Sequence, residues 1–353
     1  HELAHMWFGN LVTMRWWDGL WLNESFATYA ASWALEKIAT EHPKLSKAPW
    51  AKSLREDSGR ELLGEKQWAY FEDASRNTHP IELKIEDTGA SETVFDGITY
   101  AKGAAVIKQL VALVGEDDFT EGLRRYFEAH SYRSATTSQF LKAIEEAASQ
   151  PLGDWRRQWL QSPGANRLQA RWACDAETRK ISSFELVQTH APQSSVLRKH
   201  RTRLGLGYGN RLKTPEADKN PGAKRSQRKQ RNQRNQQPKP TKPIDTSVKY
   251  DAALTAVAHL TGAPCPDFVF PNVGDDDYVQ VVLDPASRTY LRKHLSKIES
   301  PLLREQIWSS LWHSLIAGEI QAAEFADWFF EQGATEKDPK ILGSLLHRVL
   351  SGT

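Results

Sequence analysis

Cysteine and methionine are scarce in this sequence, with two of each among 353 residues. The cysteines, Cys174 and Cys265, are too few for a disulfide-dense secreted scaffold. On composition the chain therefore suits a reducing, cytoplasmic setting with two buried free thiols. No apolar run approaches the roughly 20 residues that a membrane-crossing helix needs, so no membrane partner is expected. Neither charge is in excess: 46 basic and 44 acidic residues leave +2, which argues neither for nor against an acidic partner. The chain does not start with Met, so the missing signal peptide carries no information. What remains is ordinary globular composition with one surplus. Thirteen Trp suggest large cores or aromatic-lined clefts, with packing the main role.

The first residues carry chemistry. HELAH places His1 and His5 one helical turn apart on one face, where two imidazoles can grip one ion. Glu2 is rotated away from that pair and free to address a water. A third ligand must come from a segment that folds back, and Glu24, in WWDGLWLNE, supplies it from a second helix reading from Ser25 to Ala39. Two His and one Glu leave a zinc position open, the catalytic rather than the structural arrangement. The donors suit Zn²⁺, one per chain.

Further along, KGAAVIKQLVALVG (102–115), Phe119–Ala129 and Thr137–Ala148 read as helices, and SPG at 162–164 breaks the pattern. From Leu168 short alternating runs bounded by turn residues suggest antiparallel strands. Helical periodicity returns near residue 287, with Leu303, Ile307, Leu311 and Leu315 in register. The expected organisation is α+β and multidomain. A mainly helical catalytic domain spans 1–165, a small antiparallel β-sandwich 166–286, and the start of a helical region 287–353. A basic insertion falls at about 212–245. Its centre, residues 222–243, carries eight Lys or Arg and no acid. Without large apolar residues it cannot fold on itself, and without aromatics to stack on bases it reads as a solvated loop rather than a nucleic-acid arm.

The motifs carry a resemblance. HELAHMWFGNLVTMRWWDGLWLNESFATY resembles the zinc signature of the aminopeptidase N family, gluzincin metallopeptidases, in its bacterial type. VFDGITYAKGAAVIKQL resembles that family's second block, and WRRQWLQSPGAN the end of its catalytic domain. The resemblance implies a thermolysin-like catalytic fold, His1, His5 and Glu24 as zinc ligands, and Glu2 as the general base acting on a zinc-activated water. It also implies Tyr100 as the hydroxyl that stabilises the tetrahedral intermediate. The substrates implied are peptides with a free N-terminus. Other readings of the same site are an endopeptidase, an epoxide hydrolase, or a non-catalytic fragment. Trp16, Trp17 and Trp21 read as a clamp that orients Glu24. The family's upstream Gly-x-Met-Glu-Asn motif has no counterpart here, so the chain reads as an interior fragment. With His1 uncapped, weak zinc binding and little turnover are expected of these residues alone.

Overall fold

The computed structural model describes residues 1–209, 211–213 and 246–351; the basic segment 222–243 lies outside them. The chain opens with a 3-10 turn, Ala4–Met6, followed by β1 (Val12–Met14) and a second 3-10 turn, Trp17–Gly19. Two long helices, α1 (Leu20–Glu41) and α2 (Ala51–Ala74), then pack along one another. After the short α3 (Thr88–Ser91), a π-helical turn, Ile98–Lys102, runs directly into α4 (Gly103–Val114). Then come α5 (Glu116–His130), β2 (Arg133–Ala135), α6 (Thr137–Ala148) and α7 (Gly153–Trp159).

Local chemistry accounts for several of these limits. Gly115, at φ +102°, ends α4, and the Glu116, Asp117 and Asp118 carboxylates favour the positive end of the next helix dipole. Thr136 and Gln139 close a reciprocal capping box at the start of α6. β1 pairs in parallel with β2, so the segment after His5 is pinned by a strand from 121 residues further on, Val12 opposite Arg133. Beneath lies one apolar cluster built from Phe8, Val12, Trp21, Phe26, the inward face of α4 and the aromatic residues of α5 and α7.

The second half is two small sheets covered by helices. One sheet runs in the order β10 (Val279–Val282), β3 (Asn166–Asp175), β4 (Lys180–Thr189), β8 (Leu254–Ala256). In the other, β5 (His200–Tyr208) pairs with β6 (Arg211–Lys213), β7 (Ser247–Tyr250) and β9 (Phe268–Pro271). Leu168, Leu186, Leu204, Leu206 and Phe268 meet in a second apolar cluster between the two layers. The helices α8 (Pro285–His294), α9 (Pro301–Ile316), α10 (Ala322–Gln332) and α11 (Pro339–Ser351) add Leu291, Ile307, Trp328 and Leu345 to it.

Four expectations are corrected. The His1–His5 segment is a single 3-10 turn rather than an α-helix, although the carbonyl of His1 still accepts the amides of Ala4 and His5 at 2.9 and 3.4 Å. The second helix begins at Leu20, five residues before Ser25, because Trp21 and Leu22 are buried and continue its inner face. The β layers are not wholly antiparallel: β10 runs parallel to β3. The chain reaches β10 from the opposite sheet through left-handed residues at Asn272, Gly274 and Asp275, so no hairpin dictates its direction. Finally, Cys174 and Cys265 are joined in a disulfide rather than standing as free thiols. A bulge in β3 at Ala173/Cys174 and the amide of Cys265 bonding Arg179 O at 3.0 Å bring their Cα atoms to 6.0 Å. This removes the compositional ground for a reducing compartment. Non-reducing peptide mapping of native protein is expected to recover one linked Cys174–Cys265 peptide, with neither thiol alkylated before reduction.

Helix α2 had no clear signature in the pattern of the sequence. Its inner face buries Arg60, Lys66 and Asp73 along with Leu62, Leu63 and Tyr70, so the apolar period is interrupted by charges. Each charge is paired at long range: Arg60 with Glu305 and Asp338, Lys66 with Asp275, and Asp73 with Lys102.

Candidate metal centre

The 3-10 turn presents two imidazoles to the carboxylate of Glu24, which sits in the second turn of α1. His1 Nε2 lies 3.1 Å from His5 Nε2, and Glu24 Oε2 lies 3.4 and 3.5 Å from the same two atoms. Donors bound at about 2.0–2.1 Å around a tetrahedral ion stand about 3.3 Å apart, so this triangle fits one zinc-sized cation. Among the described residues this is the cluster of three or more His, Cys, Asp or Glu side chains with metal-ligand spacing. The tautomers agree with it. His5 Nδ1 donates to the carbonyl of Phe8 at 3.0 Å, and His1 Nδ1 lies 3.3 Å from Thr28 Oγ1, which leaves both Nε2 lone pairs facing the gap.

Phe8 has a second duty. It is fully buried and stacks on Phe26 of α1 at 3.9 Å, which locks the turn carrying the imidazoles onto the helix carrying Glu24. Gly9, at φ +129°, then reverses the chain into β1, and its amide bonds Val12 O at 2.9 Å.

Tyr100 arrives from the π-helical turn. Its hydroxyl feels the charge of Glu24, and its ring stacks on those of His1 and Trp68, both with centroids 6.2 Å away. Burial, then the charges of Glu24 and Glu2, push the phenol up to about 12. It stays protonated and remains a donor across the neutral range. Glu2 is exposed, with its charge close enough to be felt by Tyr100. All five residues singled out in the sequence are therefore brought to one corner of the helical half. The Trp cluster divides otherwise than expected. Trp21 is buried beneath α1, whereas Trp16 and Trp17 hold the 85–88 segment through bonds to Ile85 O and Thr88 Oγ1 at 2.8 and 3.3 Å.

The turn bearing Tyr100 is clamped at both ends, by residues that sequence reasoning missed. At its start Asp96 accepts the amides of Ile98 and Thr99 at 2.9 and 3.0 Å, and His79 Nε2 bonds the other carboxylate oxygen at 2.9 Å. In its middle, Ser25 Oγ donates to Thr99 O at 2.6 Å. At its end Lys102, wholly buried, bonds Asp73 at 2.8 Å. The Lys-Gly pair has a steric reason as well, since a Cβ on Gly103 would lie 1.8 Å from Ser25 Oγ. Asp73 is 29 residues from Lys102 and gave no local signal.

The His79–Asp96 pair makes the clamp pH-sensitive. Burial opposes the charge on each, but the Asp96 carboxylate and the Pro80 carbonyl hold His79 above its ordinary value, and His79 with the two amides holds Asp96 below its own. The raised His79 contributes stability fully below about 6.5 and loses it as pH rises through the higher folded value. The lowered Asp96 contributes above about 3.9 and loses it as pH falls. Stability measured by urea unfolding is expected to fall on both sides of that window. In His79→Gln the loss on the alkaline side should shrink.

Residues 1–159 match the peptidase family M1 domain. In this stretch the chain carries that family's domain. Aminopeptidase N of Streptomyces lividans is 34% identical over 99% of this chain. Probable aminopeptidase 2 of Sulfurisphaera tokodaii is 37% identical over 46% of the chain. Tricorn protease-interacting factor F2 of Thermoplasma acidophilum is 34% identical over the same share. The chain spans 37% of the length of the Streptomyces protein and 19% of each of the other two. No single helix among the described residues is long and apolar enough to cross a membrane.

Proposed function

We propose that this M1 chain carries the reaction centre of a zinc aminopeptidase that removes N-terminal residues from peptides. The observation that carries the reading is the convergence of His1, His5 and Glu24 to within 3.5 Å, with the Tyr100 ring stacked on His1. A zinc ion held by His1 Nε2, His5 Nε2 and Glu24 Oε2 would supply Lewis-acid polarisation of a carbonyl and a water acidified to near neutrality. Glu2, next in sequence to His1, accepts the proton of the attacking water and returns it to the leaving amine. Tyr100, a donor throughout the neutral range, holds the oxyanion that forms on the scissile carbonyl, as a donor placed where charge develops. Catalytic Glu2 and Tyr100 and the three ligands come from three separate segments, so closure of the helical core assembles the centre.

Relatives named as aminopeptidases support cleavage from a free amino end over internal cleavage. The test is zinc analysis of chelator-washed, zinc-reloaded protein, together with hydrolysis of an alanine anilide and its N-acetyl counterpart. One zinc per chain and cleavage confined to the free amine would carry the reading, against the weak zinc binding and little turnover expected of an uncapped His1. Equal cleavage of the blocked compound would make the centre an endopeptidase. Failure to retain zinc would remove the metal reading altogether.

A further inference from the structure

Away from the metal centre, a cleft of about 860 Å³ opens between α2, the start of β3 and the ends of α9 and α11. That is the size of pocket small organic ligands occupy, roughly 300–1,000 Å³. No ligand of the metal centre lines it. Its walls are largely apolar: Phe71 of α2 and Ile316 of α9 face it with 68% and 62% of their surface exposed, and Trp312 lies between them and α11.

Two guanidinium groups line this apolar space. Arg167, at the start of β3, bonds Glu319 through Nη1 at 2.6 Å, but its buried Nε and Nη2 have no partner. Arg348 of α11 lies over the Trp312 ring at 5.6 Å and donates to the neutral side chain of Gln67 at 3.2 Å. Burial pushes its guanidinium down to about 10, with only the charge of Glu305 opposing. Both cations act on one half-buried imidazole: after desolvation itself, the charges of Arg348 and Arg167 depress His313 to about 3, so it is neutral. The cleft thus joins two guanidinium groups, one paired with Glu319 and the other bonded to a neutral side chain, to a largely apolar lining.

We infer that this cleft is a binding site for a small carboxylate carried on an apolar body, the carboxylate lying on Arg167 and Arg348 and the body against Phe71, Trp312 and Ile316. A guanidinium fork matches a carboxylate in shape and charge. The site is independent of the peptidase reading, since it needs neither the metal nor turnover.

N-acetyl-phenylalanine is the probe, because its blocked amine sets it apart from an aminopeptidase substrate. Calorimetric titration is expected to show saturable binding of one molecule per chain, the same in zinc-free and zinc-loaded protein. The primary amide of the probe should bind about tenfold more weakly, as should the acid to Arg167→Gln or Arg348→Gln, each having lost a charge-assisted bond. Should Arg167→Gln fail to fold, Arg348→Gln, whose guanidinium bonds only a neutral partner, carries the comparison. Acid and amide binding alike, affinity unchanged in a folded arginine variant, dependence on zinc, or no saturable heat would each overturn the assignment.

Discussion

Glu2→Gln is expected to lower kcat by about 10²–10⁴-fold while zinc content stays at one per chain, since general base catalysis contributes on that scale. Glutamine keeps the size and one acceptor oxygen of the side chain but cannot take a proton. Glu2 is exposed and is not one of the three donors that face each other across 3.1–3.5 Å, so the metal triangle should survive the change. Glu24→Gln is the contrasting variant. It removes the only charged member of that triangle, and should lose zinc and activity together. The pair of measurements separates base from ligand. A Glu2→Gln protein that turns over at the parent rate would remove Glu2 from the mechanism without touching the metal assignment.

The second large effect concerns stability. Asp73→Ala is expected to destabilise the fold by about 3–5 kcal/mol, the range for stripping one partner from a buried ion pair. Asp73 accepts four side-chain or backbone donors: Lys102 at 2.8 Å, Thr78 at 2.9 Å, Tyr278 at 3.0 Å and the Gly164 amide at 3.1 Å. Lys102 is fully buried and already pushed down to about 8 by desolvation against the pull of Asp73. Without the carboxylate it keeps only Gly164 O, at 3.3 Å, and must either lose its proton or stay charged in an apolar setting. The same substitution unties α2 from the loop before β3 and from Tyr278, which lies in the strand half of the sequence but in the helical half's core. Urea unfolding gives the test, read as a shift of the midpoint at unchanged slope. A change below about 1 kcal/mol would mean that the pair is offset by its own desolvation, as buried pairs often are when replaced as a unit.

Legibility differed from element to element for physical reasons. Helix α6 coincides with its reading from sequence, Thr137 to Ala148, because a capping box marks its start and an apolar period runs through it. Helices α4, α5 and α9 followed from the same signal, and so did the β3–β4 hairpin, whose faces alternate. The parallel placement of β10, the cross-link of two cysteines 91 residues apart and the charged inner face of α2 did not follow. Each of these depends on partners far along the chain, which no local window contains.

What the sequence by itself determined is the inventory of the centre: which side chains can bind a cation, which can move a proton, and which helices carry them. Residue type and the spacing in HELAH point to His1, His5, Glu2 and Glu24 because these are local properties, whereas Tyr100 in TYAKG was legible only through the family resemblance. The tertiary structure alone decided how they face one another. Phe8 on Phe26, Ser25 on Thr99, Asp96 capping the π-turn and Asp73 on Lys102 are contacts between distant segments, and they place Tyr100 beside His1. The buried pairs are the clearest case. A charge on a helix reads as solvent-facing until its partner is known, and whether burying it is tolerable is a property of the pair in space, not of either residue in sequence.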